Sequence, residues 1–322
     1  MGSMAGPPEA SYGFVGIGVM GFGMALNLRK KIPSSSRFVL CEINKDRRDQ
    51  FVQEAKSQDL GAVDVVDTPR DVAENSDIII TMLPKAPHVL EVFKNPQTGF
   101  LAIDKPAKSK LFLECSSIDT ASSVELSKVV EASGIGRMID SPVSGGPQGS
   151  DAGTLTFMCG GPEELFQQAV PVLSMMGKED AIINCGAQGA GLATKQLNNY
   201  LGYIGYVGLC EVMATGVKYG LDPKTLSDVI NKSSGMNWNS MHMNPVKGVH
   251  PNAPASRDFK GGFSVELAHG VIADATNLMD QVGTRKVLAN DLKGIYDEAL
   301  EDPRTKGQEA RSVWRFFEDG NA

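Results

Sequence analysis

Lys195, Asn198 and Asn199 place an amine and two carboxamides within five residues, Lys195-Gln196-Leu197-Asn198-Asn199. They follow Gly186-Ala187-Gln188-Gly189-Ala190-Gly191, and no proline interrupts the chain from there to Tyr219. The expected structure is one long helix starting near Gly189. Residues four apart share a helix face, so Lys195 and Asn199 project together with Asn198 beside them. The chemistry such a face offers is proton transfer at a hydroxyl-bearing carbon. A lysine desolvated in a closed cleft drops from about 10.4 toward roughly 7–8 and becomes a usable base. Asn199 can hold a hydroxyl without adding charge. None of the four histidines has a comparable position.

A second constellation lies near the start. The apolar run Tyr12–Val15 leads into Gly16-Ile17-Gly18-Val19-Met20-Gly21, followed by helix-spaced Met24, Leu26 and Leu28. Strand, glycine turn and helix in this order form the context for a dinucleotide fingerprint. The first glycine permits the turn, the second lets backbone approach a pyrophosphate, and the third lets helix pack on strand. The next strand, Phe38–Cys41, ends in Glu42, 21 positions after Gly21. An acid there accepts the ribose hydroxyls and repels a 2′-phosphate, which favours NAD over NADP. Lys45, Arg47 and Arg48 just beyond either face solvent or argue for NADP. Later in the chain, Ser117 and Ser144-Gly145-Gly146 sit at or just after the ends of expected strands. Exposed backbone N–H groups of such a loop can bind a carboxylate.

The elements that must position these residues are legible in outline. Strands are expected at Asp77–Met82, Lys110–Glu114, Leu155–Cys159 and Ala181–Asn184, with a further run at Met138-Ile139-Asp140. Helices are expected between them, at Ala121–Ala132 and from Glu163. Alternation of this kind implies an α/β fold, a Rossmann-like doubly wound, mostly parallel sheet. After Gly186 the pattern is helical: Gly191–Tyr219, Pro223–Lys232, Val265–Val282, Lys286–Leu300 and Glu309–Phe317, around a polar loop from Ser233 to Gly262. The domain division is therefore expected as 1–187, dinucleotide-binding, and 188–322, all-helical.

At 322 residues both domains can bury a core. The net charge of −7 leaves no basic surplus for a nucleic-acid partner. No apolar run is long enough to span a membrane. The five cysteines form no Cys-x-x-Cys pair, so they read as reduced thiols of an intracellular protein, with no metal site. Gly2-Ser3 ahead of Met4 reads as an added leader, with the natural start at Met4. The compartment expected is the cytoplasm, or the mitochondrial matrix if a leader was trimmed.

From Phe14 to Phe317 the chain resembles the β-hydroxyacid dehydrogenase family, and within it the branch acting on 3-hydroxyisobutyrate. The matching residues are Phe14–Gly21 with Met24–Leu28, then Leu83-Pro84. Asp140-Ser141-Pro142-Val143-Ser144-Gly145-Gly146 with Gly153–Met158 is the most specific stretch. Lys195-x-x-Asn198-Asn199, Gly220–Pro223, Ser233-Ser234-Gly235, Asn244-Pro245-Val246 and Gly261-Gly262-Phe263 complete it. The resemblance implies that Lys195 is the catalytic acid/base and that Asn199 orients substrate with Asn198 beside it. It places Ser117 and Ser144-Gly145-Gly146 around the substrate carboxylate and nicotinamide ribose, puts Leu83-Pro84 on the cofactor side, and brings Trp238 near the cleft. It implies a homodimer or homotetramer built through the helical domain.

Three positions depart from the pattern. The family's Lys-Asp-Leu run aligns with Gly270-Val271-Ile272, preceded by His269. His88 stands where Asn is usual, and Ser117 replaces Thr. The function expected is NAD-dependent oxidation of a short 3-hydroxy acid to its semialdehyde. The alternatives are an NADPH-dependent semialdehyde or glyoxylate-type reductase, or a cofactor-binding protein with weak catalysis.

Overall fold

The structure is a computed structural model in which residues 9–318 are described. The expected start at Met4 lies outside the described residues. Runs without polar alternation, Tyr12–Val15, Phe38–Cys41, Ile78–Thr81 and Lys110–Glu114, are buried at every position. Strands hidden on both faces belong inside a parallel sheet with helices on either side, and the chain builds that sheet.

The strands are β1 (Tyr12–Val15), β2 (Phe38–Cys41), β3 (Asp64–Val66), β4 (Ile78–Thr81), β5 (Lys110–Glu114), β6 (Gly136–Asp140), β7 (Val143–Ser144), β8 (Leu155–Gly160) and β9 (Gly177–Gly186). Their order is β3-β2-β1-β4-β5-β6-β8-β7, with β9 paired to β8. Pairing is parallel from β3 to β6; β8 runs antiparallel to β6 and β7 and parallel to β9. The helices of this part are α1 (Gly21–Lys31), α2 (Lys45–Ser57), α3 (Pro69–Asn75), α4 (Ala86–Lys94), α5 (Thr120–Ser133), α6 (Gly146–Ala152) and α7 (Glu163–Leu173). Side chains alternate between two cores. Tyr12, Phe14, Leu40, Ile80 and Leu113 enter one, and Val15, Val39, Ile79 and Phe112 enter the other.

The long helix is α8 (Ala190–Tyr219). It is followed by α9 (Pro223–Asn231), α10 (Trp238–His242), α11 (Val265–Gln281), α12 (Ala289–Glu301) and α13 (Arg315–Glu318). The chain divides into two compact units, Met1–Lys195 and Gln196–Ala322, so the division falls within α8. The second unit has its own core. Tyr203, Tyr206, Cys210 and Met213 recur at helical spacing along α8 and join Val265, Ala268 and Ile272 of α11 and Leu292 and Tyr296 of α12.

Several elements differ from the sequence reading. The edge strand β3 is three half-exposed residues, Asp64-Val65-Val66, too short to leave a pattern. The Ser144 region is a two-residue strand followed by α6, with Pro147 in its first turn. The polar loop contains α10 and a 3-10 turn at Pro254–Arg257, and Glu309–Phe317 is a 3-10 stretch, Ala310–Trp314, before α13. Asn237 caps α10 through its side chain, accepting from the N–H groups of Asn239 and Ser240.

Candidate active site

Strands β1 and β4 are neighbours although two others are formed between them in the chain. The crevice beyond the carboxyl ends at such a reversal is where open α/β sheets bind ligands. The glycine loop leaves β1 there. Gly16 has φ +90, and a side chain on it would start 2.5 Å from the Met82 carbonyl oxygen. At Gly21 a methyl would fall 2.0 Å from the Gly16 carbonyl oxygen, so α1 packs directly on the turn. At Gly18 no heavy atom lies within 4 Å of that position, and the backbone is open to an approaching group. Ile17 is buried, while Val19 is exposed and Met20 half-buried at the mouth of α1.

Glu42 stands at the end of β2 and holds the loop in shape. Its Oε2 accepts from the Ile17 N–H at 2.7 Å, and its Oε1 accepts from the Asn44 N–H at 2.9 Å. Arg47 adds a second grip. Its Nε donates to the Ile17 carbonyl at 3.1 Å, its Nη2 donates to the Gly18 carbonyl at 3.3 Å, and its guanidinium lies 4.1 Å from the Phe22 ring centroid. Arg47 is thus engaged with the glycine loop, a position that its place in a polar first turn did not signal.

The next two strand ends are tied together. The Leu83 N–H donates to Ser116 Oγ at 2.8 Å. Glu114, fully buried, accepts from the Ser116 N–H at 2.9 Å and from Thr81 Oγ1 at 3.3 Å, while its Oε2 has no partner. Pro84 and Ser117 follow these anchors and are exposed. Burial raises Glu114 from its ordinary 4.5 to about 7, and the bonds from Ser116 and Thr81 only partly oppose this. A carboxyl raised in the folded state binds its proton more tightly there, so stability falls as pH climbs from about 4.5 through about 7. Glu114→Gln is expected to be more stable than the wild type at pH 8, by about 3 kcal/mol. The gain should vanish near pH 5, as read by melting temperature at the two pH values; equal melting temperatures at pH 8 would count against it.

Lys195 closes the first unit. Its Nζ donates to the Val143 carbonyl oxygen on β7, immediately before Ser144-Gly145-Gly146. The residue as a whole is half-buried, yet its amine is enclosed enough that burial lowers the pKa from 10.5 to about 8. Gly145 and Gly146 are exposed and have φ +135 and +63, left-handed backbone that favours glycine. The lysine amine and the Ser-Gly-Gly loop, far apart in sequence, are therefore brought together in one unit.

The remaining candidates lie in the second unit. On α8, Asn199 follows one turn after Lys195 and is half-buried, and Asn198 is exposed. Trp238 opens α10 and is 58% exposed, its ring 5.2 Å from the His242 ring. Gly270 faces open space on α11. His269 is bonded to Asp297 at 2.7 Å, and Lys293 shares the same carboxylate, so the histidine belongs to an α11–α12 surface cluster. Among the described residues there is no cluster of metal-ligating side chains, and no helix is long and apolar enough to cross a membrane. All five cysteines are free.

The model of the NAD-binding domain of 6-phosphogluconate dehydrogenase matches residues 11–189. The model of the NAD-binding region of NADP-dependent 3-hydroxyisobutyrate dehydrogenase matches residues 189–315. The chain belongs to the β-hydroxyacid dehydrogenase family, close to 3-hydroxyisobutyrate dehydrogenase. The probable mitochondrial 3-hydroxyisobutyrate dehydrogenase of Arabidopsis thaliana is 34% identical over 96% of this chain and 87% of its own. The human mitochondrial 3-hydroxyisobutyrate dehydrogenase is 41% identical over 79% of this chain and 71% of its own. Mycobacterium tuberculosis 3-hydroxyisobutyrate dehydrogenase, solved with L-serine, is similar in structure with a TM-score of 0.81 and 32% identity, over 96% of this chain and 99% of that one. This protein is an NAD-dependent oxidoreductase. Gly16, Gly18, Gly21 and Glu42 fit that cofactor: an open backbone cradle, a helix N-terminus behind it, and an acid at the end of the second strand.

Proposed function

We propose that the enzyme oxidises a short 3-hydroxy acid of the 3-hydroxyisobutyrate type to its semialdehyde, with Lys195 as the acid/base. The observation that carries this reading is the desolvated Lys195 amine docked on Val143 beside Ser144-Gly145-Gly146. Bound NAD supplies the hydride acceptor. The loop N–H groups and the Ser144 hydroxyl, with Ser117, hold the substrate carboxylate, and Asn199 steadies the hydroxyl. Lys195, neutral, takes the hydroxyl proton as the carbonyl forms. Glu42 would receive the adenosine ribose, Gly16 to Gly21 would receive the pyrophosphate, and Leu83 and Pro84 would lie on the cofactor side. The same reading includes a homodimer or homotetramer, the association that the family resemblance implies.

The relative solved with L-serine motivates a second substrate. L-Serine has the same hydroxymethyl and carboxylate arrangement as 3-hydroxyisobutyrate, with an ammonium in place of the methyl. The test is nicotinamide absorbance with NAD and, separately, NADP across 3-hydroxyisobutyrate, L-serine and short 2- and 3-hydroxy acids. Reduction of NAD by 3-hydroxyisobutyrate above the others is the expected result. A preference for NADP would overturn the role given to Glu42, and reaction only with 2-hydroxy acids would overturn the substrate class.

A further inference from the structure

Strand β6 ends at Asp140, a carboxylate with no exposed surface, in register with Glu114 on β5. Its Oδ1 accepts from the Gly189 N–H at 2.6 Å, and its Oδ2 accepts from the Leu192 N–H at 3.0 Å. These amides belong to the turn that opens α8. N–H groups at a helix start have no partner within the helix, and the helix dipole favours negative charge there. Asp140 satisfies both needs from the sheet.

The seating is tight. A methyl at Gly160, on β8, would lie 2.6 Å from Asp140 Oδ1 and 2.7 Å from the Gly191 nitrogen. A methyl at Gly191 would lie 2.1 Å from the Met158 carbonyl oxygen and 2.7 Å from Asp140 Oδ2. The start of α8 therefore rests on the ends of β6 and β8 with no side chain between. Three residues after Asp140, the Val143 carbonyl accepts from Lys195 Nζ. One short segment, 140–143, thus holds the helix at its first turn and the lysine at its amine.

We propose that Asp140 is a positioning residue for Lys195: its carboxylate fixes the height and rotation of the first turn of α8, which delivers the amine to Val143 and the Ser144-Gly145-Gly146 loop. The functional half of this inference rests on the assignment of Lys195 as acid/base. The choice of a buried charge is otherwise costly, because burial pushes Asp140 up to about 6 against the pull of the amide bonds. Even so it remains mainly ionised at pH 7 to 8 and keeps both acceptor oxygens.

Two variants strain the same contact differently. Asp140→Asn keeps the shape but turns an NH2 toward an amide N–H. Gly160→Ala keeps the carboxylate and wedges a methyl between it and the helix start. Each is expected to bind NAD with unchanged stoichiometry and to keep its substrate KM, while kcat falls about 10- to 100-fold, the scale of a small misplacement of a reacting group. Amide exchange at Gly189 and Leu192 should quicken, exchange in β1 and β4 should not, and Lys195 should be acetylated faster by acetic anhydride, read by peptide mass.

Exchange and labelling do not need turnover. If Lys195→Ala retains activity while both variants still loosen Gly189, Leu192 and Lys195, the positioning holds and the catalytic assignment falls. If Asp140→Asn and Gly160→Ala leave exchange, labelling and kcat at wild-type values, the positioning is overturned. Should neither variant fold, the wild-type protein decides. Gly189 and Leu192 amides protected like the sheet support the clamp, and amides exchanging like a free helix end overturn it.

Discussion

Lys195→Ala lowers turnover of the 3-hydroxy acid by about 100-fold or more, the usual scale for a lost acid/base, and leaves the Kd for NAD unchanged. The reason is positional as well as chemical. The amine is enclosed, bonded to Val143, and lowered by burial to about 8, so a neutral lysine is available near physiological pH. Only the neutral amine can take the hydroxyl proton, so kcat/KM for oxidation should rise with pH through about 8 and level off above it. In Lys195→Ala that rise disappears. Steady-state rates from pH 6 to 10, with NAD titrated separately, read both effects. Turnover near that of the wild type would falsify the assignment, and an unchanged rise in the variant would assign the titrating group elsewhere.

How much of this was legible without coordinates depends on the kind of contact. The parallel sheet was readable because Ile78–Ile80 and Leu111–Leu113 are unbroken apolar runs without polar alternation, the pattern of strands buried on both faces. The glycine loop was readable because strand, turn and helix are contiguous, so local order alone defines it. Lys195 and Ser144-Gly145-Gly146 were each visible as residue types. Their meeting is implied by the family resemblance alone, since on residue pattern it depends on β7, a strand of two residues, and on where α8 starts. Arg47 reads from sequence as either a solvated helix residue or an NADP contact, because nothing in Lys45-Asp46-Arg47-Arg48 marks which base reaches back to the Ile17 and Gly18 carbonyls. Glu114 and Asp140 left a fainter trace: each is an acid closing an apolar run, and strand register then makes them neighbours. Burial of both, rather than their spacing, marks them as structural supports for the loops and helix that carry the site.

The glycine loop allows stability and cofactor binding to be separated by two single-methyl changes. At Gly21 a methyl meets the Gly16 carbonyl oxygen at 2.0 Å, a backbone atom that cannot move without shifting β1 or α1. Overpacking of this kind costs about 1–3 kcal/mol, so Gly21→Ala should melt several degrees lower even without ligand. At Gly18 a methyl meets nothing within 4 Å, so Gly18→Ala should melt with the wild type. Its backbone, however, is the face that approaches the pyrophosphate. Losing a charge-assisted hydrogen bond there costs about 1.5–3 kcal/mol, roughly 10- to 150-fold in the Kd for NAD. The expected pattern is a normal melting temperature with weak binding for Gly18→Ala, and a lowered melting temperature for Gly21→Ala before any cofactor is added. Wild-type NAD affinity in folded Gly18→Ala would remove the pyrophosphate from this loop. The same result would leave the role of Gly21 untouched, because that role is set by the distance between α1 and the turn and not by what binds above it.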